Sequence, residues 1–389
     1  MRRNRSILFL GIALLSLEAT AGFCQDNDLA GHLKTIRAVG PKGQGHQAAA
    51  AAWKQVAKAD AERLPQILAG MDGAGPLAQN WLRAAVDAIA ERQLAGGNKL
   101  PQASLEKFLL ATHHDSRARR LAYEWIAQVD RTAASRLIPK MLNDPSLELR
   151  RDAVAQAIDR AETLLGDGKK DAGVVAYKKA FTAARDVDQI KACEEKLSSL
   201  GQSVDMPVHF GFLMEWKLVA PFDNTDKSGF NVAYGPEKSI DVNATYQGKG
   251  DKKVGWVDHV TNDPYGNVDL TKPLGKLKGA VCYAVTEFTV DEEREVDFRL
   301  GSYNANKIWL NGKLLTANEV YHAATAIDQY RVRGTLKRGR NVILLKICQN
   351  EQTESWAQSW HFQLRVCDKI GTPVLSTTRP PTPKKAEGK

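Results

Sequence analysis

The stretch Lys307-Ile308-Trp309-Leu310-Asn311-Gly312-Lys313 decides the fold of the C-terminal half of this chain. It reads as a short strand, an Asn-Gly turn and the start of a second strand, because Asn-Gly readily takes the positive φ angles of a two-residue hairpin. Further on, Leu336-Lys337-Arg338-Gly339-Arg340-Asn341 leads into an apolar run at residues 342–347. Together these two motifs predict a β-sandwich that displays loops.

Other segments of this half also have the pattern of strands. Apolar and polar residues alternate at 295–300 and 361–366, which is typical of strands with one buried face. Frequent Gly and Asn turns between short strands favour a sandwich. The predicted strands are 210–219, 238–246, 253–257, 280–290, 295–300, 307–310, 329–336, 342–348 and 360–367.

The N-terminal half has a helical period instead. Between residues 47 and 201 alanine is abundant and β-branched residues are few, which favours helix. A weak repeat relates the segment at 115–122 to that at 144–153, with an Arg-Arg pair in each copy. The predicted helices are 47–60, 76–94, 101–112, 116–129, 132–142, 146–165, 169–185 and 187–200.

Both halves resemble known architectures. The Asn143-Asp144-Pro145 turn between two apolar helices resembles the short turn of HEAT-type repeats, and this implies an α-solenoid over 47–201. Residues 209–370 are similar to the galactose-binding-like jelly-roll domain, as in the sugar-binding domain of family 2 glycoside hydrolases. They are also similar to modules in large exported proteins of planctomycete bacteria. That resemblance is carried in order by Gly301-Ser302-Tyr303, Ile308 to Lys313, Asp328, and Leu336-x-x-Gly339-x-Asn341-x-Ile343-x-Leu345.

The first residues predict export. Arg2, Arg3 and Arg5 precede an apolar run at 7–17 that is too short for a membrane helix, and Ala19-Thr20-Ala21 fits a cleavage site. Residues 1–21 are therefore predicted to be a signal peptide, and the mature protein is expected in the periplasm or outside the cell. Lipidation at Cys24 is the alternative, which the bulky Phe23 disfavours. The remaining predicted segments are a flexible segment at 22–46, a linker at 202–208 and a disordered tail at 371–389.

Charge and cysteine content exclude some classes of function. The net charge is +9, but the excess is shared by the two halves of the chain, and in the C-terminal half it comes from the tail. A nucleic-acid-binding domain is expected to carry a basic face, so we predict no nucleic-acid partner. The five cysteines are widely spaced, with no C-x-x-C pair, and buried free thiols are the simplest expectation. No segment after residue 21 is long and apolar enough to predict a membrane span.

No catalytic or metal motif is recognisable in the sequence. His113-His114-Asp115 fits a turn that caps a helix better than a metal site, and neither a nucleophile elbow nor a phosphate loop is present. Tyr303-Asn304 stands where a related calcium-dependent lectin module carries two aspartates, so we predict neither a metal nor a cofactor. Aromatic and amide side chains near predicted loops are the candidate ligand-binding residues: Trp256, Tyr265, Asn304, Asn306, Trp356 and Trp360.

These observations favour an exported, non-enzymatic binding or scaffold protein. In this hypothesis the helical part contacts protein and the sandwich binds a polysaccharide, another glycan or a protein. The first alternative is an accessory or catalytic component of polysaccharide breakdown, which rests on the family resemblance alone. The second alternative is a purely structural protein of the cell envelope.

Overall fold

A computed structural model describes residues 18–382 of the chain, and the side chains from residue 28 onward. The predicted cleavage of residues 1–21 and the lipidation of Cys24 fall on residues whose side chains lie outside this range. The chain divides into two units, one ending at Gln189 and the other beginning at Ile190. Within the described part of the chain, no helix has the length and apolar character needed to cross a membrane.

The N-terminal unit is built of helices, as its alanine-rich sequence predicts. Every predicted helical segment contains an observed helix, and two helices, α1 and α3, were not predicted. The last helix crosses the boundary between the units. In chain order the helices are α1 (Glu18–Arg37), α2 (His46–Val56), α3 (Leu64–Ala69), α4 (Pro76–Ala95), α5 (Gln102–Leu110), α6 (Ser116–Val129), α7 (Ala133–Leu137), α8 (Leu147–Gly166), α9 (Lys170–Ala183) and α10 (Val187–Ser199).

Helix α1 corrects the prediction of a flexible segment at 22–46. Leu29, Leu33 and Ile36 lie four and three residues apart, which places them on one face of the helix. All three are buried, and α1 packs against α2 and α4. The short polar stretch after α1 contains only one further turn of helix, at Pro41–Gly43. The sequence prediction missed this helix because its apolar residues are few and widely spaced.

The two copies of the weak repeat each bury their first arginine. Arg119 in α6 and Arg150 in α8 are both buried, and the Nε of each donates to a backbone carbonyl at 2.7 Å, that of Leu109 and that of Asp144 respectively. Asp115 caps α6 by accepting hydrogen bonds from the backbone N–H groups of the first turn, as N-cap side chains do. Arg119 therefore ties α6 to the end of α5, and Arg150 ties α8 to the turn before it.

Strands dominate the C-terminal unit, which also contains most of α10 and three short helices. The first of these, α11 (Met206–Phe210), takes up the last three residues of the predicted linker at 202–208. The others are α12 (Gly235–Lys238) and α13 (Thr271–Leu274). The strands are β1 (Glu215–Asp223), β2 (Thr245–Gln247), β3 (Lys253–Gly255), β4 (Val257–Val260), β5 (Val268–Asp269), β6 (Ala280–Val290), β7 (Arg294–Ser302), β8 (Ala305–Leu310), β9 (Lys313–Asn318), β10 (Tyr330–Leu336), β11 (Gly339–Gln349) and β12 (His361–Cys367).

Two antiparallel sheets form this unit. One has six strands in the order β4-β1-β6-β11-β8-β9, and the other has four in the order β10-β7-β12-β5. Side chains from both sheets meet in one hydrophobic cluster, so the sheets pack face to face. Its members include Phe288, Ile308 and Leu345 from the first sheet, and Phe298 and Phe362 from the second.

A second cluster covers the outer face of the six-stranded sheet. Phe222, Tyr283 and Trp309 belong to it, beneath the segment 224–256 that contains the small β2-β3 hairpin. The ammonium of Lys346 in β11 is buried here and donates to the carbonyl of Val232 and to the Glu237 carboxylate, both at 2.7 Å. This buried ion pair fixes the covering segment to the sheet.

The Asn311-Gly312 turn and the segment that leads into β11 are joined by hydrogen bonds. Asn311 and Gly312 form the two-residue turn between β8 and β9, with φ of 50° and 80°. These positive angles are the ones predicted for an Asn-Gly hairpin turn. The Asn311 side-chain amide donates to Asn341 Oδ1 at 2.9 Å, and its oxygen accepts from Val342 N at 2.9 Å. Asn341 is fully buried. Both motifs therefore serve the fold.

The cysteines and the C-terminal segment complete the unit. The four cysteines with described side chains, Cys193, Cys282, Cys348 and Cys367, are free and buried, as predicted. The predicted disorder from residue 371 is wrong for the described part of the tail. Thr377 N donates to Thr289 O at 2.9 Å, and Arg379 Nη1 donates to Phe212 O at 2.7 Å. Residues 383–389 lie outside the described range.

Candidate functional site

Three of the six predicted ligand-binding residues are interior residues. Asn304 and Asn306 have no exposed surface, and Trp360 is 1% exposed within the core between the sheets. Asn304 Nδ2 donates to Gln349 Oε1 at 2.8 Å, and Asn306 Oδ1 accepts from Asn318 Nδ2 at 2.9 Å. These amides join neighbouring strands, so we withdraw all three residues as ligand contacts.

Two further candidates are half-buried by aromatic packing. Trp256 lies between β3 and β4, and its indole N–H donates to the Tyr246 hydroxyl at 3.4 Å. Tyr265 precedes β5, and its ring lies 6.2 Å from the ring of Phe210. Burial raises the pKa of the Tyr265 phenol. Each ring is therefore held by its own local packing and does not line a shared concavity.

Trp356 is the predicted residue that the structure exposes, at 54% of its surface. It belongs to a group that we call the loop cluster: Tyr303, His322, Thr325, Trp356 and His361. The His322 ring stands edge-on to the rings of Tyr303 and Trp356, with centroids 5.3 and 5.1 Å away. The Tyr303 ring is nearly parallel to that of His361 at 6.1 Å. Four aromatic rings thus form a continuous row.

Strand pairing explains why these residues meet. Phe362 of β12 pairs with Ser302 at the end of β7, and Cys348 near the end of β11 pairs with Ala305 at the start of β8. The loops at these strand ends therefore converge at one end of the two sheets. Tyr303 comes from the β7-β8 turn, His322 and Thr325 from the β9-β10 loop, and Trp356 from the β11-β12 loop.

Hydrogen bonds hold the loop cluster in place. The Tyr303 hydroxyl donates to Trp356 O at 2.5 Å, and His322 Nε2 lies 2.8 Å from Asn350 Oδ1. The turn that carries Trp356 is also held by Lys278, because Lys278 Nζ donates to Ala357 O at 2.8 Å. The exposed indole face is therefore presented on a fixed support, which lowers the entropy cost of binding.

His361 is the titratable group of the cluster with a displaced pKa. Its imidazole lies 2.9 Å from the Thr325 hydroxyl, and burial lowers its pKa, with Asp269 opposing that shift. The unfolded chain therefore takes up a proton more readily than the folded chain as the pH falls through the ordinary histidine range. The stabilisation that His361 contributes is present above that range and is lost below it.

We therefore expect His361→Gln to reduce the acid sensitivity of the protein. Glutamine keeps a hydrogen-bonding group beside Thr325 but does not titrate. In urea unfolding at pH 7.5 and 5.5, wild type should lose more free energy of unfolding on acidification than the variant does. An unchanged difference between the two proteins at both pH values would contradict this assignment.

A second concavity lies on the outer face of the six-stranded sheet. Two adjoining cavities of about 400 and 270 Å³ share Ile240, Arg340 and Val342. Arg340 forms a solvent-exposed ion pair with Glu287 at 2.6 Å beside the cavity. We call this the outer groove. Its lining combines apolar residues with paired charges, but the two tryptophans among them, Trp216 and Trp309, are only 3% and 8% exposed.

Metal ligation has no support among the described residues. They contain no group of three or more His, Cys, Asp or Glu side chains placed to hold an ion. His114, predicted to belong to a capping turn, lies with Nδ1 2.7 Å from Asp72 Oδ2, and its ring stacks on Phe108. That arrangement agrees with a structural role for the His113-His114-Asp115 turn.

The fold and the loop cluster thus define a class: a helical unit followed by two packed antiparallel sheets with an aromatic loop cluster at one end. No protein-family model matches the chain, and no curated protein matches it. Solved structures give low-scoring matches to carbohydrate-active enzymes and carbohydrate-binding modules.

Three of these matches show how low the identities and TM-scores are. A beta-glucosidase from Kluyveromyces marxianus in complex with glucose has 13% identity and a TM-score of 0.26, over 44% of this chain and 21% of that one. A beta-glucuronidase from an uncultured Clostridium has 14% identity and a TM-score of 0.24, over 41% and 29%. A family 35 carbohydrate binding module from Clostridium thermocellum has 12% identity and a TM-score of 0.18, over 27% and 89%. The chain thus spans about a fifth of the beta-glucosidase, and scores this low do not establish a common fold.

Proposed function

We propose that this is an exported, non-enzymatic protein whose C-terminal unit binds carbohydrate at the loop cluster. The observation that carries the proposal is the Trp356 indole, which is 54% exposed and yet held by a hydrogen-bonded loop among polar groups from neighbouring loops. The exposed ring adjoins the row of rings from His322, Tyr303 and His361, and covering it with a ligand is favourable because apolar surface is removed from water.

The chemistry of the cluster suits a sugar. One face of a pyranose ring is apolar and packs on an aromatic ring, while its hydroxyls need both donors and acceptors nearby. The Trp356 ring supplies the apolar surface, and the Thr325 hydroxyl and the His361 imidazole supply hydrogen-bonding groups. A few polar groups beside an aromatic surface are the usual composition of a small-ligand site.

The outer groove competes with the loop cluster as the site. An extended chain lying there would contact side chains only, because the floor strands β1, β6 and β11 are interior strands with paired backbones. The loop cluster is favoured because its aromatic ring is open to solvent. The two tryptophan rings of the outer groove, Trp216 and Trp309, are almost fully covered, so they offer little surface for a sugar to stack on.

Finer architectural assignments belong to the same proposal. The corresponding Arg119 and Arg150 are both buried and each donates to a backbone carbonyl, which supports a HEAT-like stacking of helix pairs in the N-terminal unit. The two packed sheets support a galactose-binding-like jelly roll in the C-terminal unit. In this proposal the helical unit contacts protein, and the C-terminal unit supplies the attachment to a glycan.

Glycan-array binding by the full chain tests the carbohydrate site. Trp356→Ala should weaken binding about 30-fold, because truncating an aromatic anchor costs about 2 kcal/mol or more. Arg340→Ala in the outer groove is the matched control, and it should bind like wild type. Loss of binding in the Arg340 variant with full binding in the Trp356 variant would move the site to the groove. Absence of binding to every glycan by wild type would reject the proposal.

A further inference from the structure

The helical unit has an open groove beside α7 that none of its described helices fills. Helix α7 spans Ala133–Leu137 and is followed by a single 3-10 turn, whereas α8 and α9 run for 20 and 14 residues. The short helix leaves part of α8 and α9 uncovered, and a cavity of about 810 Å³ lies there. We call it the α8-α9 groove.

The dimensions of this groove match a helix. Its floor extends along α8 from Ala153 to Leu164. At a rise of about 1.5 Å per residue this is about 16 Å, or about three turns. Its wall extends along α9 from Asp171 to Lys179, which is about 12 Å by the same rise. Val175 projects from this wall with 66% of its surface exposed. An aliphatic side chain so exposed in mid-helix gains stability when another apolar surface covers it.

The rim of the groove is positively charged. Arg160 on α8 and Lys179 on α9 are exposed, and neither has an ion-pair partner among the described side chains. Asp171, the acidic residue of the lining, lies in the first turn of α9, where its charge is stabilised by the N-terminus of its own helix. The groove therefore presents two free cations, among the described residues, beside an apolar floor.

We propose that the α8-α9 groove docks an amphipathic helix of a partner protein, two to three turns long, with apolar residues on one face and acidic residues beside them. Helix-in-groove recognition of this kind uses apolar anchors one turn apart. Acidic flanks would pair with Arg160 and Lys179. A second copy of this chain is disfavoured, because a symmetric contact would bring the two cationic rims together. A β-strand is disfavoured because the groove walls are helices without free backbone edges.

Selection from a surface-displayed library of 14-residue helices tests this proposal, with full-length protein as bait. Flanking and apolar positions would be randomised. We expect the recovered helices to be enriched in Asp and Glu beside an apolar stripe. Val175→Glu should weaken their binding at least tenfold, and Arg160→Glu combined with Lys179→Glu should shift selection to basic flanks. Val129→Glu, at a 41% exposed valine outside the groove, is the matched control and should bind like wild type.

Both substitutions replace an exposed valine by a residue of higher helix propensity, so both variants should fold, which circular dichroism would check. Recovered helices that bind the Val175 variant as well as wild type would overturn the proposal, as would an absence of acidic enrichment. Sedimentation that shows a dimer lost on Val175→Glu would overturn it in favour of a second copy. Glycan binding is measured separately and is independent of every one of these results.

Discussion

Replacing Asp328 by alanine is expected to lower the free energy of unfolding of the C-terminal unit by about 3–5 kcal/mol, the usual cost of removing one partner of a buried ion pair. The Asp328 carboxylate is 8% exposed. It accepts hydrogen bonds from Arg365 Nε and Nη2, both at 2.6 Å, and from Arg299 Nη1 at 2.9 Å. Removing it leaves two guanidinium groups buried with most of their charge unpaired.

Some compensation remains for each arginine. Arg299 keeps an ion pair with Asp297 at 3.1 Å, and Arg365 Nη1 keeps the carbonyl of Phe210 at 3.2 Å. A loss at the upper end of the range would still remove a large part of the roughly 5–15 kcal/mol that stabilises a typical domain. Asp328 also lies shortly before β10 and follows the loop that carries His322 and Thr325, so glycan binding should weaken in the same variant.

Urea unfolding measures this effect, with Glu287→Ala as the control. Glu287 pairs with Arg340 on the surface, with 58% of its side chain exposed. Its removal should therefore cost no more than about 1 kcal/mol. Equal losses in the two variants would contradict the assigned role of Asp328.

The same ion pairs make the stability depend on pH. Burial alone raises the pKa of Asp328, but its hydrogen bonds and Coulomb interactions with Arg365 and Arg299 lower it overall. Its contribution is therefore lost as the pH falls through that lowered value, and wild type and the Asp328→Ala variant should converge in acid.

The turn, strand and helix that depend mainly on nearby residues were predicted correctly from the sequence. Asn311-Gly312 specifies its turn without help from the rest of the chain, because few other pairs accept two positive φ angles. The alternation at 295–300 predicted β7, and Val296, Phe298 and Leu300 are indeed buried. The helix bounds at 116–129 were correct for a similar reason, since Asp115 supplies the start signal as the N-cap of α6, a position that favours aspartate.

Polar residues in the interior were the main source of error. Arg365 and Gln363 were read as the solvent side of β12, yet they are 3% and 6% exposed. Arg365 is buried because Asp328, 37 residues earlier, pairs with it. Asn304 was read as a ligand contact, but its partner is Gln349. A sequence pattern treats polar side chains as solvent-exposed unless their partners are known, and these partners are distant in the chain.

Of the residues in the loop cluster, only Trp356 was predicted from the sequence to bind a ligand. Trp356 lies in a polar loop, so its exposure could be inferred from its neighbours. Nothing in the local sequence around His322 and His361 relates the two histidines to each other. The pairing of β12 with β7 and of β11 with β8 brings them together. That strand order is a property of the whole sheet and not of any segment.

The buried Arg119-Asp144 pair carries the largest effect that we expect in the helical unit. Arg119→Met should lower its free energy of unfolding by about 3–5 kcal/mol. The guanidinium donates to both Asp144 oxygens, at 2.7 and 2.6 Å, with side-chain exposures of 1% and 5% for the two residues. Methionine fills a similar volume, so the loss would report the uncompensated carboxylate and not a cavity.

Arg120→Met is the matched control, because Arg120 is the next residue and its ion pairs, chiefly with Glu124 and Asp152, are partly exposed to solvent. Its loss should stay below about 1 kcal/mol. Asp144 also accepts the backbone N–H of Ser146 at 2.8 Å, which sets the turn before α8. Loosening that turn should displace α8, so helix binding in the α8-α9 groove should weaken with Arg119→Met and persist with Arg120→Met. Equal stability in the two variants would mean that the buried pair does not organise the repeat.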